Sequence, residues 1–332
     1  MLRIYRVEGD HLVRTDADAP VQAAQLADPA VVWLDLINAT QPEVAAVQAL
    51  LAIEIPSREA AQEIEYSSRL YSEDGAEFLT VAALTQLDTD DPLMTPITFI
   101  LKGTRLVTVR YAEPKPFVGF VLRATKGHGL AVSNGQHIMY GLLEALIDRL
   151  ADALERLAAE IDSISRGVFR PRATKAVMKS RDLQAVIEQI GRRGDLITLV
   201  RESLVSFFRL LTYHTAIDDS DKQHRKEARA RIRVLQRDIS SLSDHASFMS
   251  NKINFLLDAT LGLINLEQNQ IIKIFSIAAV VFLPPTLVAS VYGMNFHEIP
   301  ELQWAYGYPW ALGLMVVSAV LPFWYFRKRG WL

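Results

Sequence analysis

Polar side chains recur on one face of an otherwise apolar stretch near the C-terminal end of the sequence. Steps of three or four residues from Asp258 give a single stripe, made of Asp258, Asn265, Asn269, Ile272, Ser276, Ala279, Leu283, Thr286 and Ser290. Amides, hydroxyls and a carboxylate in such a row favour the lining of an aqueous pore built by several identical helices. Ser276 and Ser290 fit equally well as hydroxyls that bond back to their own helix or join neighbouring helices. Asp258 and Asn269 need more partners and therefore favour the pore.

Two acids, Glu298 and Glu301, follow this stripe in the sequence. In an oligomer these carboxylates would form rings of negative charge that concentrate cations beside the mouth of a pore. A solvated loop that happens to be acidic is the alternative interpretation.

Two uncharged apolar runs must position these groups. Ile274–Tyr292 has 19 residues and Tyr306–Phe326 has 21. As helices they would reach roughly 28 and 31 Å, enough to cross a hydrocarbon core of about 30 Å. We therefore predict two transmembrane helices, because helices in a soluble core rarely stay free of charge for so long. Pro284-Pro285 in the first run predicts a kink that frees carbonyls to face a lined cavity.

The positions of Lys and Arg predict the orientation of the two spans. The connecting loop 296–305 contains neither residue, whereas Lys273 precedes the first span and Arg327-Lys328-Arg329 follows the second. Positive residues stay inside, so we expect a multi-pass protein of the cell (inner) membrane with both termini in the cytosol. The N-terminal residues lack an apolar segment and do not resemble a signal peptide.

The composition excludes several classes of protein. The 332 residues include 35 Lys+Arg, 38 Asp+Glu and no Cys, and 50% of them are apolar. These values exclude a disordered chain and a disulfide scaffold, and the small net charge argues against a general polyanion binder. No P-loop, H-E-x-x-H or G-x-S-x-G motif is present, so we expect neither an enzyme nor an organic cofactor.

The first 125 residues predict a mixed α/β domain on the cytosolic side. Val31–Leu36 is typical of a strand, and Thr40 is a plausible N-cap for the helix that follows. Asp74-Gly75 and Lys102-Gly103 each separate two strand-like segments, which predicts two hairpins.

Helical periodicity dominates from Gln136 onward. It is broken at Gly191 and Gly194, and after residue 221 a heptad pattern runs from Ile232 to Thr260 without proline. We predict the following organisation: a helical cytosolic region 126–221, a stalk helix 222–273, a pore-lining span 274–292, an external loop 293–305, a second span 306–326 and a basic cytosolic tail 327–332. The simplest arrangement joins the stalk and the first span in one long helix that runs from the cytosol into the membrane.

The segment Tyr292-Gly293-Met294-Asn295-Phe296 resembles the defining motif of the CorA-type divalent-cation channels. Pro300-Glu301-Leu302 and Gly307-Tyr308-Pro309 stand at that family's spacing, and a basic cluster precedes the terminal Trp331-Leu332. The resemblance is strong over Asn265–Leu332, and rests on architecture alone for the rest of the chain. Ile299 departs conservatively from the Met that is usual in the family's loop.

This resemblance implies a funnel-like homopentamer, embedded in the lipid bilayer, that takes up Mg²⁺ and also Co²⁺ and Ni²⁺. The first span would line the pore through Asp258, Asn269, Leu283 and Thr286. Leu283 and Phe275 would be hydrophobic constrictions, and Gly293, Met294 and Asn295 would form the selective mouth. Mg²⁺ holds its six waters tightly, and a ring of neutral carboxamides can accept hydrogen bonds from those waters without removing them.

The family is also gated by intracellular Mg²⁺ bound between subunits at acidic positions. The candidates here are Asp88, Asp90, Asp91, Asp238 and Asp244. Bound cations would hold like-charged subunit faces together, and their loss would loosen the ring. An acidic cluster that is merely solvated is the alternative.

Two other functions compete with Mg²⁺ transport. The related ZntB-like branch transports zinc, but its members usually vary the middle residue of the motif, which is Met294 here; His297 alone is weak support for zinc. The basic stretch 222–237 has no interleaved aromatic residues for base stacking, so we expect a solvated or acid-paired stalk face and no nucleic acid partner.

Overall fold

A computed structural model describes residues 1–16, 23–63, 65–89, 91–127, 132–169, 180–217, 222–295 and 300–330. The chain divides into two units. The first unit consists of Met1–Pro171 and Glu188–Leu256, and the second of Arg172–Ile187 and Leu257–Leu332. The predicted sites at Asp90 and Glu298 lie outside the described residues, as do His297 and Ile299.

A seven-stranded mixed sheet organises the first unit. Its strands are β1 Leu2–Glu8, β2 His11–Asp16, β3 Val31–Ile37, β4 Leu70–Glu73, β5 Ala76–Thr85, β6 Leu93–Lys102 and β7 Arg105–Arg110. The spatial order is β2-β1-β3-β7-β6-β5-β4, and β3–β7 is its parallel pair. Both predicted hairpins are confirmed. Asp74 and Gly75 have positive φ angles of 51° and 71°, as a tight hairpin turn between twisted strands requires.

The described residues form nine α-helices. They are α1 Ala23–Ala27, α2 Gln41–Leu51, α3 Arg58–Gln62, α4 Tyr66–Arg69, α5 Lys115–Thr125, α6 Gly135–Phe169, α7 Ser180–Ile217, α8 Lys222–Tyr292 and α9 Gly307–Lys328. A short 3₁₀ helix, Pro300–Gln303, precedes α9. Thr40 is the N-cap residue of α2, as predicted, and its backbone N–H donates to Glu43 Oε2 at 2.7 Å.

The predicted break in α7 is wrong, because this helix runs without interruption through Gly191 and Gly194. A glycine inside a helix costs about 1 kcal/mol relative to alanine. Burial of Ile190 and Ile197 on either side of the glycines offsets that cost. A Cβ at Gly194 would lie 3.5 Å from Ile253 of α8, an ordinary contact, so the position is also closely packed.

One helix of 71 residues, α8, carries both the heptad pattern and the first apolar run. The predicted long helix is therefore confirmed, and it continues through Pro284 and Pro285. Its heptad positions are the apolar residues that α8 buries in the first unit, namely Ile232, Leu235, Ile239, Ala246, Met249, Ile253 and Leu256. Ion pairs join the same part of α8 to α6: Arg231 to Glu144 at 2.9 Å, and Lys252 to Asp162.

A buried ion pair lies between the sheet and α5. Arg110 of β7 donates through Nε and Nη2 to the two carboxylate oxygens of Asp35 on β3, at 2.9 and 2.8 Å. Thr108 donates to Asp35 at 2.8 Å and accepts from the Trp33 indole at 2.9 Å. Both charged side chains are only 1% exposed. Every oxygen of the buried carboxylate is thus engaged, which is the condition under which such a pair is tolerated.

Aromatic rings surround this ion pair and exclude water from it. The Arg110 guanidinium lies 4.6 Å from the centre of the Phe117 ring, and Tyr5 stacks on Trp33 at 4.2 Å between ring centres. Burial raises the pKa of the Tyr5 hydroxyl to about 12. The pair therefore sits in an environment of low dielectric constant, where losing one partner is costly.

Serines of α7 complete the hydrogen bonding of β5. The short strand β4 pairs with β5 only over residues 76–79, so the edge of β5 beyond that point has no strand beside it on this side. Ser206 Oγ accepts from the Ala82 N–H, and Ser203 Oγ donates to the Ala82 carbonyl, both at 2.9 Å. The helix thereby covers a strand edge that would otherwise be open to pairing with another chain.

We predict that Asp35→Asn lowers the stability of the protein by about 3–5 kcal/mol, because it removes the buried counter-ion of Arg110 and leaves only the half-exposed Glu113, 4.0 Å away. Thermal unfolding of the full chain in detergent, followed by near-ultraviolet circular dichroism, measures the change. Asp162→Asn is the matched control, since it removes one partner of an exposed ion pair and should shift the midpoint little. Equal shifts for the two variants would contradict the assignment.

Candidate functional site

The two long apolar segments of the second unit have the length and composition of membrane spans. The structure places one at the end of α8 and the other in α9. In each, only 6% of the most apolar 18-residue window is buried within the chain. A core helix of a soluble protein would be mostly buried, so this exposure argues against the core interpretation. Large apolar side chains that face outward are what a lipid environment accommodates.

One face of each apolar helix is shielded within the second unit. On α8 the shielded positions are Ile277, which is buried, and the half-buried Val281, Pro284, Pro285, Val288 and Tyr292. On α9 they are Gly307 and Ala311, which are buried, and the half-buried Met315, Ser318, Ala319, Pro322 and Phe326. Both sets recur at steps of three or four residues, the spacing of one helix face.

The polar stripe lies on the opposite face of α8. All nine of its residues, from Asp258 to Ser290, are exposed in the single chain. At 3.6 residues per turn, the centre of the stripe lies roughly 160° around the helix from the centre of the shielded face. The predicted pore residues Asp258, Asn269, Leu283 and Thr286 are thus brought onto one open face. Phe275 lies at the edge of that face and is also exposed.

The hydroxyl of Thr286 bonds back to its own helix. Its Oγ1 donates to the carbonyl of Phe282 at 2.7 Å. This is the bond to its own helix that a hydroxyl in the stripe can form instead of facing a pore. The hydroxyl proton is used in this bond to the Phe282 carbonyl, while the lone pairs of the Thr286 oxygen stay available to accept hydrogen bonds from water. Thr286 can therefore face an aqueous path without giving up its local bond.

The two prolines lie on the shielded face of α8 and remove backbone donors there. Pro284 and Pro285 have no N–H, so the carbonyls of Val280 and Val281 lack their usual helical partners. In hydrocarbon an unpaired carbonyl costs several kcal/mol, whereas a neighbouring helix or a water-filled cavity satisfies it. The position of this dipeptide favours a wet or closely packed environment around the middle of the span.

The Gly-Met-Asn segment directly follows the last turn of α8. The Gly293 N–H donates to the Ala289 carbonyl at 2.9 Å, and the Met294 N–H donates to Val291 at 3.3 Å. A Cβ at Gly293 would lie 3.0 Å from the Ala289 oxygen, which is tighter than an ordinary contact. Met294 and Asn295 are both exposed. The glycine thus lets the chain turn away directly at the end of the helix, and the exposed Asn295 side chain follows it.

The 3₁₀ helix Pro300–Gln303 carries Glu301, the second acid of the loop. Its backbone continues directly into α9: the Trp304 N–H donates to the Glu301 carbonyl at 3.3 Å, and the Gly307 N–H donates to Trp304 at 2.9 Å. Glu301 is therefore attached to the start of the second apolar helix, in the loop that Asn295 begins.

The candidate regulatory acids that the structure describes, Asp88, Asp91, Asp238 and Asp244, are not gathered into one site. Three cations engage Asp88: Lys115 at 2.6 Å, Arg156 at 2.9 Å, and Arg149. Hydrogen bonds from Lys115, Arg156 and Arg149 hold the pKa of Asp88 well below its ordinary value. Across the described residues, no three His, Asp or Glu side chains are grouped as a metal site would need. The cations come from α5 and α6, far from Asp88 in sequence, and nothing in the local sequence indicates them.

The stalk acids differ from Asp88 in their surroundings. In the part of the chain that the structure describes, Asp238 and Asp244 are exposed and make no ion pair. Partial burial, Glu144, Asp152 and Asp238 all raise the pKa of Asp148 on α6. This result places like charges of α6 and α8 close enough to repel one another.

Three comparisons bear on this architecture. The family model described as CorA-like Mg²⁺ transporter protein matches residues 28–328. The magnesium transport protein CorA of Yersinia pseudotuberculosis is 32% identical over 333 residues, which cover 100% of both chains. The complete structure of the CorA magnesium transporter from Methanocaldococcus jannaschii superimposes with a TM-score of 0.79 at 18% identity, covering 100% of this chain and 99% of that one.

A ZntB domain of known structure has a similar fold as well. The cytoplasmic domain of ZntB from Vibrio parahaemolyticus matches with a TM-score of 0.57 at 9% identity, covering 80% of this chain and 98% of that one. At such identities the structural matches show the fold alone. The sequence matches go further, because they extend over nearly the whole chain. They confirm the resemblance found at the Gly-Met-Asn motif: the chain belongs to the family of CorA-like Mg²⁺ transporter proteins.

Proposed function

We propose that several copies of this chain form a channel through which Mg²⁺, and also Co²⁺ and Ni²⁺, enter the cell. The observation that carries the proposal is the polar stripe of α8, which lies opposite the shielded face and leads to the Gly-Met-Asn segment. The Yersinia relative, a magnesium transport protein matched over its full length, supports Mg²⁺ as the transported ion.

An oligomer follows from the number of spans. Two helices cannot enclose an aqueous path, so the exposed amides and carboxylate of one α8 need further copies of α8 around a common axis. The stripe requires more than two copies. Five copies, related by a closed cyclic symmetry, are what the family resemblance implies.

The mouth of the channel would be a ring of Asn295 amides. Mg²⁺ releases its waters reluctantly, so a site that binds the hydrated ion avoids most of the cost of dehydration. Carboxamide oxygens accept hydrogen bonds from those waters, and their lack of charge keeps the site weak enough for the ion to leave. Met294 and the backbone of Gly293 would complete this ring. Glu298 and Glu301 would raise the local concentration of cations around it.

Below the mouth the stripe alternates polar and apolar rings. Thr286 would accept hydrogen bonds from water, and Leu283 would form a hydrophobic constriction that can dewet and close the path. Phe275 would form a second constriction. Asn269 and Asp258 would then rehydrate and receive the ion at the cytosolic end.

The membrane potential can supply the energy for uptake. With both termini in the cytosol and the cell interior negative, a divalent ion gains about 4.6 kcal/mol in crossing 100 mV. We propose a multi-pass protein of the cell (inner) membrane that conducts passively and has no enzymatic step.

We further propose that cytosolic Mg²⁺ closes the channel by binding between subunits. Asp238 and Asp244 are the better candidates, because they are exposed and unpaired within the described chain. A bound cation there would screen the acids of neighbouring helices. Asp91 is exposed as well, whereas Asp88 would first have to exchange its three cationic partners for Mg²⁺.

Zinc transport is the second candidate function, and the observation that supports it is the fold shared with the ZntB domain. The discriminating experiment is metal competition in liposomes that contain the purified chain. We predict that external Mg²⁺ supports uptake and that equimolar Zn²⁺ does not replace it. Uptake that saturates with Zn²⁺ and ignores Mg²⁺ would instead assign the chain to the zinc branch.

We predict that Asn295→Ala abolishes Mg²⁺ uptake while the oligomer still assembles, because the hydrated ion loses its ring of acceptors. Uptake into liposomes and size-exclusion chromatography in detergent measure the two effects. Gln270→Ala is the matched control, since it removes an exposed amide of α8 that lies off the stripe. Normal uptake by the Asn295 variant would remove this residue from the mouth.

A further inference from the structure

Gly307 occupies a position at the start of α9 where no side chain fits. It is buried, and a Cβ built on it would overlap the carbonyl oxygen of Glu301, closer than real Cβ atoms approach any neighbour. The contact is with backbone, so no side-chain rotation relieves it. For a Cβ to fit, the chain at Glu301 would have to move away by a distance on the order of 1 Å.

The close approach of Gly307 to the Glu301 carbonyl is part of a compact turn between the external loop and α9. Two backbone hydrogen bonds, from Trp304 to Glu301 and from Gly307 to Trp304, close the turn from the 3₁₀ helix into α9. The rings of Trp304 and Trp310 lie 6.4 Å apart and span its outer side. Without a Cβ at residue 307, the 3₁₀ helix lies directly against the first turn of α9.

The turn is one of two anchors for the segment that contains Asn295. The other anchor is the end of α8, where Gly293 bonds to Ala289. Only four residues separate Asn295 from Pro300. A chain this short spans at most about 18 Å when fully extended, so the position of the 3₁₀ helix limits where Asn295 can lie. A shift of the 3₁₀ helix therefore changes the positions that Asn295 can reach.

We propose that Gly307 is a positioning residue for the outer mouth, one that acts by holding the 3₁₀ helix against α9 and so fixing the far anchor of the Asn295 segment. This inference rests on the proposed function, in which Asn295 receives the hydrated cation. A ring that binds an ion through its waters depends on the separation of its members, so a loosened anchor weakens binding. Gly307 itself does not touch the ion.

The test compares Gly307→Ala with Gly313→Ala in liposomes that contain the full-length chain. Gly313 is the matched control, because it lies in the same helix and a Cβ there meets nothing within 4 Å. The readouts are the external Mg²⁺ concentration that gives half-maximal uptake and the maximal rate per oligomer. We expect Gly307→Ala to raise the half-saturating concentration about tenfold, since displacements near 1 Å at a positioned site cost up to 100-fold. Gly313→Ala should leave it unchanged.

A second measurement reports on the turn without relying on transport. The chain has no cysteine, so Gln303→Cys provides a single attachment point for a spin label on the 3₁₀ helix. We expect the label to become more mobile when Gly307→Ala is added, and to stay as it was when Gly313→Ala is added.

The two measurements separate the possible failures. The inference is overturned if the label in the Gly307→Ala variant is no more mobile than in the chain that keeps Gly307. It is also overturned if the label becomes more mobile but the external Mg²⁺ concentration for half-maximal uptake does not change. A fall in the maximal rate alone also overturns it, because that result indicates a loss of folded channels. If the unmodified chain carries no Mg²⁺, the proposed function fails by that result, while the label still decides whether Gly307 holds the turn.

Discussion

A helix in a bilayer can present amides, hydroxyls and carboxylates only where other helices or water meet them, because hydrocarbon offers no hydrogen bonds. The second half of α8 is subject to this constraint. One of its faces is shielded within the unit, and the polar stripe lies on the opposite face. The single chain contains too few spans to surround that stripe. The need to hydrate or pair these polar groups is the physical basis for the proposed assembly of several copies around the open face of α8.

The same helix also connects this stripe to the rest of the protein. Residues of α8 that pack in the first unit, such as Met249 and Leu256, are followed without a break by Asp258 and the stripe. The acids Asp238 and Asp244 therefore lie on the helix that carries the proposed pore. In the proposed gating, a cation bound near them would act on the continuous backbone of α8, which also carries the stripe.

Features with a local cause were predictable from the sequence. The turn at Asp74-Gly75, the N-cap at Thr40 and the charge-free length of both spans depend on a few adjacent residues, and the structure agrees with each. The break at Gly191 and Gly194 was wrong because packing of distant side chains outweighed a local preference. The hairpin β1–β2 was not predicted, since only some of its alternate positions are apolar.

Contacts between distant residues explain what the sequence left open at the site. The sequence offers Asp88 as a candidate metal ligand but does not indicate the three cations that α5 and α6 bring to it. The proposed role of Gly307 depends on its close approach to the carbonyl of Glu301, six residues earlier. That approach is a property of the folded turn, and the sequence alone does not indicate it. Asp258, Asn269, Leu283 and Thr286 could be placed on one face from spacing alone, because helical periodicity fixes their directions.

The access of water to this face of α8 can be measured directly because the chain contains no cysteine. Single cysteines placed from 272 to 290 would be exposed, in the reconstituted channel, to a charged, membrane-impermeant thiol reagent. Leu283 and Phe282 are a matched pair, both 69% exposed in the chain but about 100° apart around the helix. We predict modification and block of Mg²⁺ flux at 276, 279, 283, 286 and 290, with no reaction at 282. Reactivity at 282 and none at 283, or reactivity without helical period, would contradict this prediction.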